Sequence, residues 1–238
     1  MKGSHKFGVL AIFFVAVPRV GVCINVDTRE TEIKKICNVL SYAKANNVYS
    51  GKKFEAGYQS HTIGEHHLIG QRDLAKRLAK VPYDFTNKTV LDIGTNQGGM
   101  LLELADKIAC GIGIDYDAKL INAANRLKSC IHANNVDFYV FDFDKEPLLH
   151  INNFLKSDHV DICFFLAMCC WVKNWRQVIA YAHKTADTLL FETNGSDELE
   201  QEEIACVHQM YQRVLLISEM SDDDKIQKKR KLFLCYKN

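Results

Sequence analysis

Two acids, each at the end of an apolar run, mark where this chain can do chemistry. In Thr89-Val90-Leu91-Asp92-Ile93-Gly94-Thr95-Asn96-Gln97-Gly98-Gly99 a short apolar run carries an acid, passes through a glycine-bearing turn and enters the apolar-periodic segment Met100 to Cys110. A second apolar run then closes on Gly113-Ile114-Asp115. The order strand, glycine turn, helix, strand, acid is half of a nucleotide-binding α/β domain. Asp115 follows Gly94 by 21 positions, close to the ~20-residue interval that places a carboxylate on ribose hydroxyls. Its competing use is as an N-cap for a helix beginning at Ala118.

The turn itself restricts the nucleotide. A dinucleotide site needs G-x-G-x-x-G so that backbone amides can approach a pyrophosphate, and a phosphate loop needs G-K-[ST]. Here three non-glycines separate Gly94 from Gly98 and no lysine follows. A ligand carrying adenosine but no phosphate suits such a turn better, which ranks a nicotinamide-dependent oxidoreductase low. At these residues the chain resembles the class I S-adenosylmethionine (SAM)-dependent methyltransferases, whose first motif reads roughly D/E-x-G-x-G-x-G after a strand. Asp92, Gly94 and Gly98 match that motif, and Asn96 stands where the family usually has its middle glycine. Asparagine is the side chain that best tolerates a left-handed backbone, so the turn survives the exchange.

The resemblance covers about Thr89 to Asn238 and implies a seven-stranded Rossmann-like α/β sheet, its seventh strand antiparallel between the fifth and sixth, with helices on both faces. It implies SAM as cofactor. Asp115 and the following Tyr116 would hold the ribose, and Asp142 the adenine amino group with Phe143 packed on the ring. Asp144 or the Asp137 loop are alternatives to Asp142. Asp92 would orient the turn and the methionine amine, with Gly94, Thr95, Asn96 and Gly98 lining the same site. The polar, aromatic lead-in Gly57-Tyr58-Gln59-Ser60-His61-Thr62-Ile63 and Gly70-Gln71-Arg72-Asp73 resembles a segment that folds over the cofactor, with Arg72 beside the methionine carboxylate.

Methyl transfer from a sulfonium needs alignment, exclusion of water and sometimes removal of a proton, so no catalytic triad is required. Glu192, ending the run Phe-Glu-Thr-Asn-Gly, is the candidate acid facing the acceptor, and His61 and His183 are candidate bases. His183 falls inside an expected helix, which favours a structural role. The loop Leu166 to Trp175 should lie at the carboxyl edge of the sheet; it lacks both the D/N-P-P-Y/F and the Pro-Cys signatures, so Cys169 and Cys170 read as buried thiols rather than nucleophiles. Trp171 either stacks on a planar acceptor or closes the pocket.

These groups need elements to position them. Val136 to Phe141, Val160 to Ala167, Thr188 to Phe191, Val214 to Ile217 and Leu232 to Tyr236 read as strands. Asn174 is placed to cap a helix over Trp175 to Lys184, and Asp197 to Gln212 is a second helical pattern. Asp27 to Asn46 carries Ile33, Ile36, Cys37, Leu40 and Ala43 on one stripe, and Asp73 to Ala79 is a short helix ahead of the first strand.

The 238 residues have a net charge of +1, so no global field draws nucleic acid. Lys225 with Lys228-Lys229-Arg230-Lys231 reads as a solvated hairpin. The nine cysteines lack C-x-x-C and zinc-ligand spacing, which favours reduced thiols, with Cys110, Cys163, Cys206 and Cys235 inside elements, and no metal. Residues 1–23 combine a basic start, the apolar run Phe7 to Val17 and Gly21-Val22-Cys23, the outline of a secretory signal. The run is too short to span a membrane. A buried segment is the alternative, and the thiols and cofactor favour the cytoplasm over secretion. The chain therefore divides into 1–23, a cap or lid over 24–85, and a SAM-binding domain over 86–238. The expected function is methyl transfer to a small molecule or an RNA nucleobase, without a membrane partner. Against it stands a catalytically silent subunit of the same fold, kept open by Asn96.

Overall fold

A computed structural model describes residues 26–43, 54–221 and 230–238. The apolar segment from Met1 to Cys23 and the cluster residues Lys225, Lys228 and Lys229 lie outside the described residues.

The chain enters as helix α1 (Val26–Ala43), whose apolar stripe is buried at Ile33, Ile36, Leu40 and Ala43. Four short strands follow: β1 (Gly57–Gln59), β2 (His61–Ile63), β3 (His66–Leu68) and β4 (Gly70–Arg72). β1 pairs in parallel with β4, and β2 with β3 as a hairpin. Helix α2 (Leu74–Ala79) is capped by Asp73, whose side chain accepts from the Lys76 amide. The polar lead-in is thus a folded lobe of two small sheets.

The main domain alternates β5 (Thr89–Ile93), α3 (Gly99–Leu104), β6 (Cys110–Asp115), α4 (Ala118–Ile131) and β7 (Val136–Val140). A 3-10 turn over Leu148–Asn153 leads to β8 (Val160–Leu166), α5 (Trp175–Thr185), β9 (Ala186–Glu192), α6 (Asp197–Met210), β10 (Arg213–Ser218) and β11 (Leu232–Tyr236). Seven strands lie in the order β7-β6-β5-β8-β9-β11-β10, with β11 antiparallel to both its neighbours. The antiparallel last strand sits between the fifth and sixth strands of the sheet, as the resemblance implies.

The central strands are nearly continuously apolar, Asp92, Asp115 and Asp161 excepted, because both sheet faces are covered. Ile162, Cys163, Phe164 and Phe165 of β8 are all fully buried. Successive side chains point to opposite faces. Ile162 and Phe164 join one core with α1 to α4, while Cys163 and Phe165 join the other with α5 and α6. Cys110, Cys163, Cys206 and Cys235 are all buried.

Two expectations fail locally. The helix read over Met100 to Cys110 stops at Leu104, and Cys110 already opens β6. The Asn135 side-chain amide donates to the carbonyls of Ala105 (2.9 Å) and Ile108 (2.8 Å), giving the helix end the partners it lacks. Asn174 occupies the N-cap position of α5, but its side chain makes no cap bond and donates instead to the Phe143 carbonyl at 2.7 Å. Asp117, not Asp115, caps α4, accepting from the Lys119 amide. No helix among the described residues is long and apolar enough to cross a membrane.

Candidate active site

The turn after β5 is held from both sides. Gly94 and Thr95 donate their amides to the Ile114 carbonyl at 2.8 and 3.0 Å, pinning the turn to β6. Asn96 has φ +56, so the asparagine does adopt the left-handed conformation. Its side chain accepts from the Gln97 amide at 2.9 Å. Gly94 (φ +79) lies so close to Met168 that a Cβ would come within 2.5 Å of its sulfur. Gly98 (φ +76) serves a different purpose: a Cβ there would meet the Phe138 ring at 2.5 Å, so this glycine lets the turn pack on β7 and does not line the site.

The lead-in reaches the turn through two buried glutamines that the sequence reading passed over. Gln59 accepts from the Gly99 amide (2.9 Å) and donates to the Thr95 carbonyl (3.4 Å). Gln97 accepts from the Gln59 amide (3.3 Å) and donates to the Ala56 carbonyl (3.1 Å). Polar side chains buried in pairs between a lead-in and a glycine turn are the signal that was available.

Asp115 stands at the end of β6, 4% exposed. Its two oxygens accept from the amides of Asn96 (2.9 Å) and Asp117 (3.0 Å). Burial lifts its pKa to about 6, against the pull of those amides. Asp92 accepts from the Thr95 hydroxyl at 2.7 Å, and burial, with the nearby Asp115 charge adding to it, lifts its pKa to about 7.

A cavity of about 270 Å³ runs over the carboxyl ends of the strands. Asp92, Gly94, Thr95, Asn96, Asp115 and Tyr116 line it from the β5–β6 side, Tyr58, Arg72 and Arg77 from the lead-in lobe, Asn194 and Arg230 from the β9–β11 side, and Met168 and Trp171 from the loop after β8. Arg72 is 3% exposed; it donates to Glu192 Oε2 at 3.2 Å and its guanidinium lies 5.2 Å from the centre of the Tyr58 ring. Arg77 reaches the same Glu192 oxygen at 3.0 Å.

The expected site residues fall into two groups. Asp92, Gly94, Thr95, Asn96, Asp115, Tyr116 and Arg72 come together around the cavity. Glu192 sits behind the wall: burial raises its pKa while the Arg72 and Arg230 charges lower it, and its carboxylate anchors guanidiniums rather than facing the cavity. His61 does not reach the cavity. It is buried in the lead-in lobe against Gly99, Leu102 and Leu127, and burial drives its pKa down to about 4, which leaves it neutral. Phe143 packs into the core against Phe141 (5.5 Å between ring centres) instead of facing the cavity. Asp142 is held by Lys145 at 2.8 Å and does not line the cavity either. His183 packs edge-on against Tyr211, and Cys169 is buried with its thiol pKa raised. The residues missed were Gln59, Arg77, Asn194 and Arg230; the last had been read as part of a solvated hairpin, yet it is 7% exposed.

A doubly wound sheet with an antiparallel last strand, a glycine turn after its first parallel strand and a buried acid after its second defines the class I SAM-dependent methyltransferases. The methyltransferase-domain family model matches residues 65–219, and the chain belongs to that family. Among solved structures it is similar to the bifunctional kinase-methyltransferase WbdD, with a TM-score of 0.61 and 18% identity over 84% of this chain and 46% of that one. The chain thus spans about half the length of WbdD. It is similar also to the N-terminal domain of EvdMO1 with SAH bound, with a TM-score of 0.60 and 10% identity over 86% of this chain and 96% of that one. Comparison of the sequence with curated proteins returns no match. The chain carries a methyltransferase domain of that family, and the structure with SAH bound is that of the EvdMO1 domain.

Proposed function

We propose that the acceptor is a small molecule, bound at the arginine end of the cavity while SAM occupies the end formed by the turn. The observation that carries this reading is the cavity itself, which joins the two ends under Met168 and Trp171.

The residues present fit the cofactor. Asp115 keeps a carboxylate at the end of β6 beside the Asn96 backbone, suited to accept from a ribose diol. Asp92 offers a carboxylate to an amine, and Arg72 a guanidinium to a carboxylate. Gly94 removes the side chain that would otherwise fill the space in front of Met168. Bound SAM supplies a methyl group on a sulfonium, open to in-line displacement.

This chain's own part is to align and to keep water out. Met168 and Trp171 form the wall over the turn, and Ala167, in a left-handed conformation at φ +58, directs that wall. The Asn194 side-chain amide donates to the Ala167 carbonyl at 2.8 Å and holds it. Among the described residues, the ionisable side chains lining the cavity are Tyr58, Tyr116, three arginines and Asp92, Asp115 and Asp117.

The test is incubation with methyl-labelled SAM of a metabolite extract and, separately, of an RNA fraction. Label in the small-molecule fraction is the expected result. Label confined to RNA would replace this reading with the nucleobase one, and label in neither would favour a silent subunit.

A further inference from the structure

The basic end of the cavity holds more positive side chains than a cofactor carboxylate requires. Arg77 lies on α2 with only 1% exposure and lines the cavity. Its Nη2 pairs with Glu192 Oε2 at 3.0 Å, while its buried Nε has no hydrogen-bond acceptor among the described residues. A guanidinium presents five donors in a fixed fork, and buried donors without acceptors are costly. Arg230 enters the same wall from the chain just before β11, and Asn194 from two residues beyond Glu192.

The topology sets Glu192, the anchor of this wall, away from the ribose acid Asp115, while Arg72, tied to the same Glu192 oxygen as Arg77, is the member of the wall offered to the cofactor carboxylate. Glu192, to which Arg77 is tied, ends β9, and Asp115 ends β6. Between them the sheet runs β6-β5-β8-β9. Three strand spacings amount to roughly 14 Å. The Asp92 and Gly94 turn, on β5, stands one strand from Asp115 and two from Glu192. Arg230 lies beyond β9, two residues before the strand that pairs with it. Three guanidiniums thus share one carboxylate, Glu192, and with Arg72 given to the cofactor carboxylate the positive charge left at Arg77 and Arg230 falls to the second molecule in the cavity.

We infer that Arg77, with Arg230, recognises an anionic group, a carboxylate or a phosphate, on the methyl acceptor. This rests on the placement of SAM proposed above. An oxyanion is the ligand chemistry that matches an arginine fork, and the Nε of Arg77 has no acceptor among the described residues.

The experiment uses the full chain loaded with S-adenosylhomocysteine and titrates three probes of similar shape: benzoate, phenyl phosphate and the neutral benzyl alcohol. Calorimetry should show binding of at least one anion and none of the alcohol; which anion binds tells a carboxylate acceptor from a phosphate acceptor. Arg77→Lys and Arg230→Gln should each weaken that anion by about tenfold and leave the affinity for S-adenosylhomocysteine within about twofold. Retained S-adenosylhomocysteine binding also shows that each variant is folded. Equal binding of the alcohol, absence of binding by both anions, or an Arg77→Lys variant that loses S-adenosylhomocysteine as much as the anion would each overturn the inference. Failure of the unaltered chain to bind S-adenosylhomocysteine would instead remove the cofactor placement beneath it.

Discussion

Asp115 and Asp92 do different work because they meet different donors. Asp115 is already engaged by two backbone amides, which fix its orientation toward the cavity. Asp115→Ala should lower SAM affinity about ten- to a hundredfold, since a charge-assisted hydrogen bond contributes roughly 1.5–3 kcal/mol. Isothermal titration of a folded variant checks this, and unchanged affinity would remove the ribose assignment. Asp92 gives a pH signature. Its pKa is lifted to about 7 chiefly by burial, and only its ionised form attracts an amine cation. SAM affinity should therefore rise between about pH 6 and 8. Asp115, with its pKa near 6, contributes to the lower part of that rise, so the two titrate as a coupled pair. Asp92→Asn should flatten the profile above pH 6.5 or so; a profile left unchanged by the substitution would assign the rise elsewhere. Arg72 and Lys76 offer a paired control one helical turn apart in sequence. Arg72 is buried in the wall, whereas Lys76 makes only an exposed pair with Asp73. Arg72→Lys should weaken SAM, and Lys76→Ala should not.

At the scale of elements, sequence reading worked where the signal was local. The strand ends at Asp115 and Glu192, and the acid one residue before the end of β5, are visible because apolar runs stop on acids, and the pattern over Leu232 to Tyr236 matches the bounds of β11. Asn96 was legible too, since few side chains other than glycine enter the left-handed region. What escaped depends on partners distant in the chain. The early end of α3 is decided by Asn135, and the lead-in is stitched to the turn by Gln59 and Gln97. Glu192 looked like a free acid because the arginines that bury it come from 120 positions earlier and from beyond the end of α6. Gly98 gives an element-level test: with φ +76 and a Cβ clash against Phe138 and Ala124, Gly98→Ala should destabilise by about 1–3 kcal/mol in denaturant unfolding. A second test lies where α6 backs the acceptor loop. Glu203 is fully buried, accepts from the Asn194 amide at 3.0 Å, and its pKa is raised from 4.5 to about 7 by burial. An acid held protonated by the fold binds its proton more tightly when native, so stability falls as pH rises from 4.5 to 7 and is level above that. Glu203→Gln should remove this loss, stabilising the protein at pH 8 by about 1–3 kcal/mol and hardly at all at pH 4.5. Equal effects at both pH values would mean that Glu203 is ionised and satisfied where it lies.

For the whole molecule, the cavity is built from three separate parts of the chain: the lead-in lobe, the β5–β6 turn, and the β9–β11 end with Arg230. A ligand that touches all three should couple their stability. Any species that binds only the native state stabilises it by RT ln(1 + [L]/Kd), about 2.7 kcal/mol at a hundredfold excess over Kd. For a domain of this size each kcal/mol moves the melting temperature by roughly 2–4 °C, so saturating S-adenosylhomocysteine should raise it by roughly 5–10 °C. Asp115→Ala should lose most of that gain at the same ligand concentration, while keeping a comparable melting temperature without ligand. The same experiment addresses the alternative that Asn96 keeps alive, a silent subunit of the same fold, which need not bind the cofactor. A folded protein whose melting temperature does not respond to S-adenosylhomocysteine, in a buffer at pH 8 where Asp92 is ionised, would favour that alternative. A rise that Asp115→Ala abolishes places the cofactor on the β6 acid and leaves only the acceptor to be found.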